Sequence, residues 1–450
     1  MREIAKAFSK TVSGTAVSLL INTLSVKILA TQLGPGGMGL YGLLRQIHST
    51  TLIAATMGGQ TALVQGGSSK EGEDRAAYLQ TVLVLFLASG LIASGILILL
   101  APVLAAQFLK RQDPMAVNLI RALAVPVFLT VLTSYGLGVL NIHRALGYMA
   151  SIQAVTALVT LGLSYPVAMA VKSGQEVALI GLMSATQTMT LGLLLWWLAQ
   201  QQVLKELAGN IRQNFDKQAA RYFFSFAGVT VLTSLLNSAM VLTLRGVIVQ
   251  KYELAGVGIF DAAWTLCVTY ISLITGAFGT YYLPTLSKLT DKQDIRDLIQ
   301  RVLLFTAVVS TAVIVVLTLL KKELILLLFS AEFTPSLNLL RWLLVADYIK
   351  LLSWVLAFPM LAFSHLRLYF ISEVVANVGL LGVCYWSLTN SSSLEGIGMA
   401  VLTLYSGYLF FTLWFVWQYY RFFPTLKTAL VSGFGLVAVL GAAGYSWHSI

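Results

Sequence analysis

Six cations interrupt or border the long apolar runs of this chain: Lys27, Arg45, Arg121, Arg245, Arg341 and Lys350. A charge inside an apolar span costs roughly 2.5 to 3.5 kcal/mol on insertion scales, so such side chains turn toward a protein interior or a watery cavity. Lys27 and Arg45 flank one glycine-rich turn, KILATQLGPGGMGLYGLLR. Two cations beside one hairpin point to an anion held there. Lys350 lies deepest of the set and follows Asp347 by three residues, which puts both on one helix face. The pair reads as an internal ion pair or as a charge-coupled switch. Asp261 and Glu373 are the other embedded carboxylates, able to take a coupling proton or Na⁺ or to balance a cation. For Arg121 and Arg341, close to helix ends, and for Lys27, Arg45 and Arg245, about 6 to 10 Å from the outer helix ends, snorkelling to the interface competes with lining a cavity. His48 shares a face with Arg45 and either lines the same cavity or packs as a neutral ring.

The elements that carry these residues follow from composition. The chain is 58% apolar and 10% charged, whereas soluble domains carry about 25% charged residues. The expected fold is an all-α polytopic membrane protein. Its first residues, MREIAKAFSK, are basic, and the apolar run after them lacks a small-residue cleavage pattern, so the first span is retained. Cys267 and Cys384 both sit in apolar runs and offer no disulfide framework. The four histidines are scattered, no metal cluster forms, and no P-loop, HExxH or GxSxG motif is present. The chain therefore reads as a carrier without a cofactor, not as an enzyme. Lys and Arg collect in loops on the side of the N-terminus, so the net charge of +11 marks a cytoplasmic face and calls for no nucleic acid.

Spans of about 20 apolar residues fall near 11–33, 41–65, 79–101, 121–141, 148–171 and 177–199. A second six fall near 222–249, 258–283, 302–320, 337–363, 368–388 and 397–419, and Thr428 to Trp447 is a possible thirteenth. An internal repeat supports the division: Gly37, Gly39 and Tyr41 align with Gly256, Gly258 and Phe260 at a constant offset of 219. The expected domains are a six-helix bundle over 1–200, a cytoplasmic linker over 201–221, a second bundle over 222–420 and an apolar tail over 421–450. Parallel repeats of this kind are related by an axis along the membrane normal. Within the linker, Val203, Leu207, Ile211 and Phe215 recur every four residues, and Ser287 to Arg301 has a similar pattern. Both read as amphipathic helices on the inner leaflet or as solvated connections. Pro126, Pro166 and Pro359 fall inside predicted helices and kink them.

Four stretches resemble the O-antigen flippase (Wzx) family of the MATE/MurJ-type exporter superfamily. They are LGPGGMGLYGLLRQ (Leu33 to Gln46), YLPTLSKLTDKQDI (Tyr282 to Ile295), FSAEFTPSLNLLRWLLVADYIKLLSWV (Phe329 to Val355) and LRLYFISEV (Leu366 to Val374). Within that family the chain looks most similar to the lipid III flippases of enterobacterial common antigen, whose pattern carries charge at Lys27, Arg45, Arg245, Asp347, Lys350, Arg367 and Glu373. The apolar tail after Arg421 departs from it, since such flippases end after twelve helices. The resemblance implies a MATE-like fold. It also implies movement of an undecaprenyl-pyrophosphate-linked oligosaccharide from the cytoplasmic to the periplasmic leaflet by alternating access, with H⁺ or Na⁺ as the coupling ion.

On that reading Lys27, Arg45, Arg245 and Lys350 hold the headgroup. Asp261, Asp347 or Glu373 carries the ion or balances charge, while His48, Arg121, Arg341 and Arg367 line the path. Membrane lipid, a polysaccharide polymerase and a chain-length regulator are the implied partners, in the bacterial inner membrane. Three alternatives remain: a lipid II-type flippase, a cation-coupled drug or metabolite exporter, and a scaffold of a glycan assembly complex that transports nothing.

Overall fold

Long apolar runs fold as helices even where proline interrupts them, as at Pro102, Pro166 and Pro359, and no strand occurs among the described residues. The computed structural model describes residues 2–201, 203, 216–225, 228–390 and 393–445. In order, the helices are α1 (Arg2–Thr56), α2 (Gly59–Ser68), α3 (Gly72–Leu104), α4 (Pro114–Ala122), α5 (Ala124–Ile142), α6 (Leu146–Lys172), α7 (Ala178–Gln200), α8 (Lys217–Ser225) and α9 (Val229–Ala277). There follow α10 (Leu283–Leu286), α11 (Lys292–Leu319), α12 (Lys321–Leu328), α13 (Ser336–Ala362), α14 (Leu366–Asn390), α15 (Glu395–Tyr420) and α16 (Leu426–Tyr445). Ten helices among the described residues are long and apolar enough to cross a membrane, the last of them α16.

The expected glycine-rich turn between two spans is a single-residue break. Gly34 alone leaves helical geometry, at φ 61° and ψ −174°, and the segment resumes at Pro35. Proline suits that first helical position because its missing N–H would have had no intrahelical partner. Gly37, one turn past Leu33, is needed for close approach: a Cβ there would lie 2.6 Å from Leu33 Cβ.

The second half repeats the device. In α9 the break falls on Glu253, at φ 58° and ψ −168°, 219 residues after Gly34. A second pair of joints recurs 220 residues apart: Arg144 (φ 53°) after α5 and Ser364 (φ 57°) after α13. Each is followed by the same i→i−5 closure, Ala145 N–H to Leu140 O at 3.0 Å and His365 N–H to Met360 O at 2.8 Å. The repeat is therefore written in the backbone as well as in the sequence.

Two compact units divide between Gln250 and Lys251. By the repeat, Val229 to Gln250 belongs to the second half; by packing it belongs to the first unit. Side-chain hydrogen bonds to α1, described below, give the physical reason.

The first unit is centred on Tyr78, Phe86, Tyr135 and Phe223, all buried. Phe86 meets Tyr135 edge-on at 5.7 Å and Phe223 at 5.8 Å, a favoured arrangement of ring quadrupoles. The buried Tyr78 and Tyr135 hydroxyls donate to Ala62 O (2.7 Å) and Leu79 O (3.0 Å).

The second unit is centred on α13. Of its apolar window 83% is buried inside the protein, against 17–44% for the other spans. Helix α13 packs on α11, α15 and α16. The C-terminal apolar run is thus a helix docked within this unit: Tyr348 donates to Ser432 O at 2.9 Å and Gln300 bonds Thr425 at 2.7 Å.

Ser287 to Arg301 does not form a separate surface helix. Asp291 caps α11 by accepting from the Gln293 and Asp294 amides, and Ile295, Leu298 and Ile299 are buried in its first turns. The apolar stripe that suggested an amphipathic helix belongs to the N-terminal extension of the ninth span, α11. The corresponding stripe Leu207, Ile211 and Phe215 of the linker lies outside the described residues.

Candidate functional site

In the first unit the charged turn sits beside a polar seam between α1 and the first segment of α9. Gln46 anchors it. Its amide donates to Ser238 Oγ (2.9 Å) and Ser238 O (3.0 Å), and Thr50 Oγ1 lies 2.8 Å from Ser238 Oγ. The carbonyl of Gln46 accepts from the buried Arg245 guanidinium. Burying a guanidinium in an apolar bundle is tolerable only with such hydrogen bonds, and the amide fixes where the charge points.

Arg45, the neighbouring residue on α1, is exposed, its guanidinium 5.6 Å from the Tyr41 ring centroid. Among the described residues no carboxylate lies within ion-pair distance of Arg45. Lys27 is half-buried on the other side of the Gly34 break. His48 is tied into α5, with Nε2 at 3.0 Å from Thr130 Oγ1 and 3.3 Å from Pro126 O.

In the second unit the centre is the Asp347–Lys350 pair on α13. Lys350 Nζ lies 3.9 Å from Asp347 Oδ1, with the two side chains 12% and 4% exposed. The Tyr270 hydroxyl donates to Asp347 Oδ2 at 2.7 Å. Three rings surround the ammonium: Trp354 at 4.9 Å, Tyr405 at 5.1 Å and Trp264 at 5.8 Å, measured to their centroids. Along this deeply buried helix Lys350, Trp354 and Phe358 form a half-buried stripe at four-residue spacing. Glu373 and Asp261 are half-buried on α14 and on the second segment of α9, and Asn377 donates to the Glu373 carbonyl at 2.8 Å.

The remaining sequence-derived residues lie apart from these two centres. Arg121 is exposed and bonds Asn118 Oδ1 at 3.3 Å, and Arg367 is exposed. Arg341 is buried, 3.4 Å from Glu395 at the start of α15 and 5.2 Å from the Trp342 ring. Close to it, in the short helix between two spans, Lys321 is buried with no hydrogen-bond partner for Nζ among the described residues. Burial and the neighbouring Arg341 charge push the Lys321 ammonium down to about 8.

Sequence reasoning missed Gln46, Ser238, Tyr270, Trp264, Trp354, Tyr405 and Glu395. The repeat held a signal for one of them: the offset of 219 carries Arg45 onto Trp264, and it also carries His48 onto Cys267, whose thiol contacts Asp347.

The family model described as "Polysaccharide biosynthesis protein" matches residues 28–338, from the first charged span into α13. The chain belongs to this polysaccharide biosynthesis protein family. Relatives of this member include proteins named lipid III flippase, from Escherichia coli (strain K12) and from Shigella flexneri. Each is 26% identical over 414 residues, covering 90% of this chain and 96% of the relative.

Among solved structures, an inward-facing multidrug resistance MATE transporter aligns with a TM-score of 0.68 at 14% identity. The alignment covers 89% of this chain and 97% of that one. The lipid II flippase MurJ aligns at 0.67 and 13%, covering 97% and 92%. At such identities the likeness concerns the fold alone.

Proposed function

We propose that this polysaccharide biosynthesis protein is a flippase that carries a lipid-linked oligosaccharide, joined through pyrophosphate to a polyprenyl tail, from the cytoplasmic to the periplasmic leaflet. The observation that carries the reading is Arg45: an exposed guanidinium on an apolar helix, adjoining the Gln46 amide that orients Arg245. Pyrophosphate is a multiply charged anion that loses hydration on entering a low-dielectric slab. Guanidinium groups replace part of that hydration through paired charge-assisted hydrogen bonds. Lys27, Arg45 and Arg245 supply such contacts in one unit and Lys350 supplies one in the other.

The lipid III flippase name of relatives matching 90% of the chain supports the substrate class. The basic loops on the N-terminal side support a cytoplasmic N-terminus. The proposed cycle is alternating access of the two repeats. A proton or Na⁺ is taken by Asp347, Asp261 or Glu373, and the product passes to a polymerase and chain-length regulator.

The test is translocation of lipid-linked oligosaccharide in cells or proteoliposomes carrying Arg45→Ala. Flipping should fall to background with the protein still inserted, and substrate should accumulate on the cytoplasmic face. Normal translocation by that variant would remove the headgroup role and favour a scaffold.

A further inference from the structure

The surroundings of Lys350 have the form of a receptor for a cation. Three aromatic faces converge on one point from three separate elements: Trp264 from α9, Trp354 from α13 and Tyr405 from α15. Each ring centroid is within 6 Å of Nζ, the range over which a ring quadrupole attracts a cation. One carboxylate, Asp347, completes the set at 3.9 Å, and its second oxygen is fixed by the Tyr270 hydroxyl.

Spacing on α13 accounts for Trp354, which lies one turn beyond Lys350. It does not account for Trp264 or Tyr405, which are brought in by other helices. Trp264 is held by stacking on Phe260, with centroids 5.3 Å apart and planes at 25°. The walls therefore stand on rigid elements. The occupant hangs on a flexible four-carbon stem.

We infer that Trp264, Trp354, Tyr405 and Asp347 form a binding site for a small alkylammonium ion, which the chain's own Lys350 fills in this conformation. An anion that draws Lys350 away leaves three electron-rich faces and a carboxylate without a cation. That combination recognises an ammonium ligand. In the intact protein the tethered lysine outcompetes free cations, because a tethered group acts at a high effective concentration. The inference does not depend on what the protein transports, and its test reads binding only.

The experiment replaces the occupant. Purified Lys350→Ala is titrated with tetramethylammonium chloride and with ethylammonium chloride against sodium chloride of equal ionic strength, following melting temperature and tryptophan fluorescence. The expected result is a saturable rise in melting temperature with either ammonium ion, absent from wild type. Adding Trp354→Leu or Asp347→Asn to Lys350→Ala should weaken the apparent affinity about tenfold. Recovery of folded Lys350→Ala only when ammonium is present counts as the same result. If that variant is not recovered in any medium, Lys350→Ser carries the titration. No saturable rise in either variant overturns the inference, as does a rise equal to that of wild type or one indifferent to Trp354 and Asp347.

Discussion

Gly34 and Glu253 break their helices in the same way, with φ/ψ of 61°/−174° and 58°/−168°. That region of backbone space is essentially reserved for glycine. The first repeat has the residue its geometry asks for, and the second holds a glutamate in it. Glu253→Gly should therefore raise stability by about 1 kcal/mol, and Gly34→Ala should lower it by about 1–3 kcal/mol. Thermal unfolding in detergent, followed by fluorescence, measures both. Equal and small effects at the two positions would mean that the joints carry no strain.

Asp347 and Lys350 share a buried environment and should behave as a unit. Asp347→Leu leaves a buried ammonium with its rings but without its carboxylate, at a cost of about 3–5 kcal/mol. Combining it with Lys350→Met should restore most of the loss, since a buried ion pair replaced by apolar residues of similar volume is often neutral. If the charges serve transport, the double variant melts near the wild-type temperature and does not flip substrate. Melting curves and translocation assays on the three variants separate the two roles.

Lys321 gives a pH signature. Its folded value of about 8 lies below the ordinary lysine value near 10.4, so the unfolded chain binds more protons across that window. Stability then rises with pH between the two values. Lys321→Met, which removes a buried donor lacking a partner among the described residues, should stabilise the protein at pH 7 by about 1–3 kcal/mol. Its advantage over wild type should shrink as the pH passes 8. Melting temperatures of both proteins from pH 6 to about pH 10 check the sign.

Helix α16 is seated through Gly435. A Cβ there would lie 2.3 Å from both Thr311 Oγ1 and Tyr348 Oη. Gly435→Ala should destabilise the second unit by about 1–3 kcal/mol through overpacking, whereas Gly441→Ala, which meets open space, should not. Comparing the two melting temperatures tests whether α16 is an integral part of that unit.

Much of this protein is legible from local pattern. Apolar runs of spanning length place the helices because the bilayer length and the 1.5 Å rise are fixed. The embedded cations stand out because charge is rare there. The offset between Gly37 and Gly256 marked the repeat before the backbone breaks at Gly34 and Glu253 displayed it. Even the i, i+3 pair Asp347–Lys350 was visible, since both residues sit on one helix.

Only the tertiary structure decided what those charges touch. Tyr405 and Trp264 reach Lys350 from helices far away in sequence, and periodicity along one helix carries no information about which face of another comes to meet it. Arg245 and Gln46 are likewise joined across the first unit. The single-residue break at Gly34, where a longer turn was expected, depends on Pro35 and on the close approach of Gly37 to Leu33. Sequence thus placed the charges and the spans; packing decided that Lys350 is enclosed by rings and that Arg45 is exposed while Arg245 is buried. The physical reason is that a membrane helix is selected by its own composition, whereas a site is selected by contacts between helices.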